Sequence, residues 1–152
     1  MTQLERLSRH LGALIDGREV LEVACGSGDF SLMAAQSAAR VACIDLDTCR
    51  LRPAVLTSPD ITFQQMDAAS MAFPDASFDT VVIFNALFHL RECLPQVLAE
   101  CLRVRRSGGT IVLVSSFKLD MPLLQEDVPA LLEQWAVPWR ADRLSPYALI
   151  LC

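Results

Sequence analysis

Glu19-Val20-Leu21-Glu22-Val23-Ala24-Cys25-Gly26-Ser27-Gly28-Asp29 is the stretch that decides the fold. A short β-branched and apolar run, Glu19–Ala24, ends in a glycine pair, and Asp29 opens a helical segment, Phe30–Ala39, rich in Ala and Met. A strand that feeds a helix through Gly-x-Gly lets the backbone turn sharply and brings helix-terminal N–H groups up to a ligand. Working outward, the same alternation recurs. Arg40–Ile44 reads as a second strand ending at Asp45, Ile61–Met66 as a third ending at Asp67, and Asp79–Phe84 as a fourth ending at Asn85. Thr110–Ser116 is a fifth, and Val137–Leu144 and Tyr147–Leu151 are two final strands around a turn at Ser145-Pro146.

Helices are predicted between them. Leu4, Leu7, Leu11, Leu14 and Ile15 recur at helical spacing over Thr2–Ile15, which Gly17 closes. Asp47 is a suitable N-cap for a helix through about Leu56, although Pro53 falls awkwardly inside it. Glu92–Arg105 is amphipathic and is expected to end at Gly108-Gly109, and Val128–Trp135 looks helical. Strands with continuous apolar character are buried on both faces. The predicted class is therefore α/β: a doubly wound, mostly parallel seven-stranded sheet with a reversed final strand, in a Rossmann-like αβα three-layer fold.

Composition narrows the function classes. The chain has 152 residues, a net charge of −5 and a single lysine, Lys118, so a protein that binds nucleic acid by neutralising phosphates is not expected. Thr80–Leu90 and Ser107–Phe117, the longest stretches without a charge, have 11 residues each, well short of the roughly 20 that a membrane span needs. Charges at Glu5, Arg6 and Arg9 argue against a secretory signal. The six cysteines form no C-x-x-C pair, so no metal site is expected. They read as reduced thiols of a cytoplasmic protein.

In a doubly wound sheet, ligands bind beyond the carboxyl ends of the strands, at the switch point. Gly26, Gly28, Asp45, Asp67 and Asn85 all fall at such ends. The third glycine of a dinucleotide motif would fall at Ser31, and Asp29 would sit poorly beside a pyrophosphate. Both points count against a nicotinamide-dependent oxidoreductase. Asp45 can accept from both hydroxyls of a ribose and Asp67 from an adenine amino group. Two carboxylates without a Lys or Arg cluster indicate a nucleoside ligand that lacks phosphates.

The ordered set of motifs resembles class I S-adenosylmethionine-dependent methyltransferases of the small-molecule type, over Val20 to Ser116. Val20–Gly28 is similar to the family's first motif, and Cys43-Ile44-Asp45-Leu46-Asp47 to its ribose-binding acidic motif. Gln65-Met66-Asp67-Ala68 stands where the family holds adenine. Phe73–Val82 and Glu100–Gly109 resemble its approaches to strands four and five. The resemblance implies that S-adenosylmethionine is the cofactor and S-adenosylhomocysteine the product. It implies that Glu22, Ala24 and Gly26 surround the methionine part, Gly28 is a further cofactor-binding residue, Asp45 binds the ribose and Leu46 packs on the adenine. Asp67 and the Ala68 backbone would read the adenine edge, and Asn85 would line the methionine end through its carbonyl.

On this reading residues 1–152 are a single domain: an N-terminal helix (1–18), a cofactor-binding core (19–116) and a C-terminal helix with a β-hairpin (117–152). The expected reaction is methyl transfer to a small-molecule acceptor by in-line displacement. His89, which follows the fourth strand, is the candidate base, weighed against a structural histidine, while His10 reads as a surface residue. Asp120-Met121-Pro122 is placed near the acceptor pocket. Little sequence is available to cap the substrate, which leaves open a homo-oligomer or partner subunit over the mouth, or a cofactor-binding module without activity of its own.

Overall fold

The computed structural model describes all 152 residues. A capping box opens the first helix, α1 (Gln3–His10), with Thr2 Oγ1 accepting from Glu5 N–H and the Glu5 carboxylate accepting from Thr2 N–H. A break at Leu11 separates α1 from a single turn, α2 (Gly12–Ile15). The chain then alternates through β1 (Glu19–Val23), α3 (Asp29–Ala34), β2 (Arg40–Asp45), α4 (Pro53–Thr57), β3 (Ile61–Gln65) and β4 (Phe78–Phe84). It continues through α5 (Leu94–Val104), β5 (Arg105–Ser115), α6 (Val128–Gln134), β6 (Arg140–Leu144) and β7 (Tyr147–Leu151). No helix is long and apolar enough to cross a membrane.

The seven strands lie in the order β3-β2-β1-β4-β5-β7-β6. The first five run parallel, and β7 is antiparallel to both β5 and β6. The switch point falls between β1 and β4, which pair from Val20↔Thr80 to Val23↔Ile83. Successive residues of a strand face opposite sides. Leu21, Val81, Ile83, Ile111 and Leu113 therefore join the core under α5 and α6, while Val20, Val82, Val112 and Val114 join the core under α1 and α3. Fully burying each such side chain stabilises the fold by roughly 1.5–3 kcal/mol.

Several boundaries differ from expectation. The helix foreseen from Asp47 to Leu56 is only Pro53–Thr57, because proline starts a helix without needing its N–H and does not continue one. Asp47 instead accepts from Cys49 N–H (2.8 Å), closing a turn of its own. Gly108-Gly109 does not terminate α5, which ends at Val104. The pair lies in an irregular opening of β5, between the matches Phe78↔Arg105 and Thr80↔Thr110, and Gly108 has φ +79°. The helix expected through Ala39 stops at Ala34, and the strand expected from Val137 begins at Arg140.

Polar ties join segments that are distant in the chain. Arg103 pairs with Glu100 and Asp75 and donates to the carbonyls of Phe73 and Met71, which pins the segment after β3 onto α5. Arg106 bridges Glu19 and Asp79 at the amino ends of β1 and β4. His10 reaches Asp142 on β6 (2.7 Å), so this surface histidine joins α1 to the far edge of the sheet.

Ala24 has a left-handed backbone, φ +58°, directly after β1. That conformation costs a non-glycine residue roughly 1–2 kcal/mol. Glycine would remove this cost and add back about 0.4–1 kcal/mol of chain entropy in the unfolded state. Ala24→Gly is thus expected to raise stability by about 0.5 kcal/mol, read as a higher urea midpoint at unchanged slope. A lower midpoint would show that the Ala24 side chain stabilises the turn more than its backbone strains it.

Candidate active site

A cleft of about 470 Å³ opens at the carboxyl ends of β1, β2, β3 and β4. Its floor is the glycine loop. Gly26 and Gly28 have φ +58° and +83°, and Gly28 N–H donates to Cys25 O (2.9 Å) before α3 begins. A Cβ on Gly28 would stand 2.4 Å from Val55 Cγ2 on α4, so the loop packs too tightly there for a side chain.

Asp45 spans the gap between β2 and that loop. Its Oδ2 accepts from Gly26 N–H (2.8 Å) and its Oδ1 from Asp47 N–H (3.0 Å). Each carboxylate oxygen has a further acceptor position, so the group braces the loop while still facing the cleft. Leu46 is 63% exposed beside it. Asp67 accepts from Ala69 N–H (2.8 Å), a turn that presents Asp67 and Ala68 to the same cleft.

Across the switch point, Asn85 follows β4 with φ +52°. Its N–H donates to Val114 O (3.0 Å) and its Oδ1 accepts from Ser116 N–H (2.9 Å), which locks it against the end of β5. Two non-glycine residues with positive φ, Ala24 and Asn85, therefore line the cleft, a concentration of backbone strain typical of binding sites. His89 also lines it, on the 3-10 turn Phe88–Cys93.

The structure brings Ala24, Gly26, Asp45, Leu46, Asp67, Ala68, Asn85 and His89 to one cleft. Two predicted residues are not part of its lining. Gly28 is buried behind the loop. Glu22 is 1% exposed and faces α3, where it accepts from Ser31 N–H (3.1 Å) and Ser31 Oγ (2.7 Å). The parity of β1 turns its side chain onto the face of the sheet rather than out of the strand end. Burial raises its carboxyl to about 8, so at neutral pH it is largely protonated.

Asp120 likewise stays out of the cleft. It is 1% exposed, accepts from Ser115 Oγ (2.6 Å) and from Phe88 N–H (2.8 Å), and so ties the turn after β5 to the turn that carries His89. Arg50, Phe84 and Phe117 line the cleft and are absent from the set expected from sequence. Phe84 and Phe117 do sit at the ends of β4 and β5, the same signal that marks Asn85; nothing in the local sequence marks Arg50. Cys25 lines the cleft as well, but its hydrogen bond toward Cys43 and its burial push the thiol far above its ordinary range. That disfavours the thiolate, the nucleophilic form of cysteine.

Residues 20–109 match the family model described as "Methyltransferase domain". The chain belongs to the class I S-adenosylmethionine-dependent methyltransferase family. It is 37% identical over 98 residues to the demethylmenaquinone methyltransferase of Renibacterium salmoninarum, a match covering 64% of this chain and 41% of that protein. It is 27% identical over 143 residues to the 2-phytyl-1,4-naphtoquinone methyltransferase of Synechococcus elongatus, covering 88% and 61% respectively. The crystal structure of an S-adenosylmethionine-dependent methyltransferase from Aquifex aeolicus superposes with a TM-score of 0.81 at 17% identity, over 98% of this chain and 87% of that one, and shows the shared fold. The chain spans 38–41% of the length of the first curated relatives it matches.

Proposed function

We propose that this methyltransferase-family chain binds S-adenosylmethionine in the β1–β4 cleft and transfers its methyl group to a small-molecule acceptor by in-line displacement. The observation that carries this reading is Asp45, a carboxylate at the end of β2 hydrogen-bonded to the glycine loop while facing the cleft. Such a group accepts from two vicinal ribose hydroxyls at once. Leu46 offers an apolar surface to the adenine, and Asp67 with the Ala68 backbone suits the adenine edge. Ala24 and Gly26 leave room for the methionine part, and Asn85 would line it through its carbonyl. Neither Glu22 nor Gly28 touches the ligand in this scheme; they hold the loop in shape.

When bound, the cofactor supplies a methyl carbon on a sulfonium, already a good leaving group. Holding the acceptor in line with that carbon contributes roughly 7–11 kcal/mol, so the chain's main task is positioning. Where the acceptor is a hydroxyl or thiol, His89 would serve as the base that takes its proton, while the cofactor would supply the methyl group. The names of the quinone methyltransferases similar to this chain support a small-molecule acceptor. The six unpaired thiols fit a reducing compartment such as the cytoplasm. A second copy or a partner subunit over the open mouth would help exclude water from the reaction.

Thermal unfolding with S-adenosylhomocysteine and, separately, with NAD tests the reading. A ligand at about 100 times its dissociation constant stabilises by roughly 2.7 kcal/mol. S-adenosylhomocysteine is expected to raise the Tm and NAD to leave it unchanged; stabilisation by NAD alone overturns the assignment. With an acceptor in hand, His89→Ala is expected to lower the transfer rate by about 100-fold without loss of cofactor affinity. Transfer at the wild-type rate would leave positioning alone to carry the reaction.

A further inference from the structure

The cleft is divided in its chemistry. Asp29, Asp45, Asp47, Asp67 and Arg50 all come from the segments that follow β1, β2 and β3. The segments at the ends of β4 and β5 contribute Phe84, Ala86, Leu90, Cys93 and Phe117, with His89 and Cys93 as the titratable groups at that end. Phe117 is 51% exposed at the cleft edge, and Leu119, two residues on, is 64% exposed. Large apolar side chains held in water at the rim of a cleft mark a surface that a ligand covers.

This rim is built, not loose. Phe117 N–H donates to Ser115 Oγ (3.0 Å), and the same hydroxyl lies 2.6 Å from Asp120 Oδ2. Asp120 Oδ1 accepts from Phe88 N–H (2.8 Å), one residue before His89. The buried carboxylate thus fixes the spacing between the turn that carries Phe117 and the turn that carries His89. Arg91 is withdrawn from the cleft by donating to Phe88 O (2.7 Å), with its guanidinium 3.9 Å from the Phe88 ring centroid.

We propose that the acceptor taken at this end of the cleft is uncharged, apolar and ring-sized, and that Phe117 is the residue that selects it. The proposal rests on the cofactor reading of the other end. Four carboxylates against one arginine disfavour an anionic acceptor in the cleft. A cationic acceptor finds no counter-charge among Phe84, Ala86, Leu90 and Phe117, so burying it there leaves a desolvated charge unpaired. A neutral ring loses nothing on entry and covers Phe117, while its hydroxyl is free to meet His89.

Three phenols that share a reacting hydroxyl and differ in charge separate the possibilities: 1-naphthol (neutral), 4-hydroxybenzoate (anionic) and tyramine (cationic). Binding of each is measured by calorimetry to the full chain, with and without saturating S-adenosylhomocysteine, for wild type, Phe117→Ala and Phe117→Leu. In the loaded wild type, 1-naphthol is expected to bind at least about tenfold more tightly than either charged phenol, a margin of about 1.4 kcal/mol. Phe117→Ala is expected to abolish that margin, Phe117→Leu to keep most of it, and S-adenosylhomocysteine affinity to stay within about twofold in both variants. Equal binding of a charged phenol, or naphthol affinity indifferent to Phe117→Ala, overturns the apolar-acceptor inference and leaves the cofactor reading standing. A wild-type chain that does not bind S-adenosylhomocysteine sinks the cofactor reading, whichever phenol it takes.

Discussion

Asp45→Ala should weaken S-adenosylhomocysteine binding by at least about 100-fold. A hydrogen bond to a charged group contributes roughly 1.5–3 kcal/mol, and two ribose hydroxyls would be lost together, where about 1.4 kcal/mol is a factor of ten. The same carboxylate accepts from Gly26 and Asp47 N–H, so its removal also frees the glycine loop that shapes the cleft floor. Asp45→Asn separates these contributions. Its amide oxygen can still accept from Gly26, but the charge is gone, and an intermediate loss of affinity is expected. Calorimetry on the three proteins, with urea unfolding as the control for the fold, reads the result. Equal affinity in wild type and Asp45→Ala would remove Asp45 from the site.

The second large effect is on stability and follows from Glu22. Its carboxyl, 4.5 in an ordinary setting, is raised to about 8 in the fold, chiefly by burial. Between those values the unfolded chain has released the proton and the folded chain retains it. The unfolded state therefore binds fewer protons, and stability falls as pH rises from about 4.5 to about 8, levelling beyond. Each pH unit across that window removes about 1.4 kcal/mol, so the whole fall is on the order of several kcal/mol. Asp79 and Glu100 shift the other way, lowered chiefly by Glu19 N–H and by Arg103 respectively. Their contribution is present above the ordinary carboxylate range and is lost only as pH drops through their lowered values, so it does not overlap this window. Glu22→Gln keeps an oxygen for both Ser31 donors and has no proton to lose. Urea unfolding at about pH 5.5, 7 and 8.5 should show a falling midpoint for wild type and a nearly flat one for Glu22→Gln. Parallel slopes in the two proteins would mean that Glu22 ionises as freely folded as unfolded.

The α/β class, the strand count and the strand-end residues are legible in the sequence because their causes are local. An apolar run that stops at Gly, Asp or Asn shows where a strand leaves the core, whatever it pairs with. Asp45, Asp67 and Asn85 are recognisable on that ground, and all three line the cleft. The helix expected from Asp47 fails to form for an equally local reason: a carboxylate suited to capping a helix serves the turn to Cys49, and Pro53 begins the helix instead.

What the tertiary structure alone decides lies where distant segments meet or where the local pattern carries no signal. β1 is buried on both faces, so its apolar run does not reveal which way Glu22 points; only the packing of α3 puts Ser31 over it. Phe117 reaches the cleft, and Asp120 ties its turn to that of His89, because β4 and β5 pair in parallel up to Phe84↔Val114, which sets Asn85 beside Ser115 and Ser116. Asn85 and Ser115 stand 30 positions apart in the chain, and the register that joins them is chosen by core packing. The residues that end strands are determined by sequence because burial ends there; the company those residues keep is determined by the order and register of the sheet.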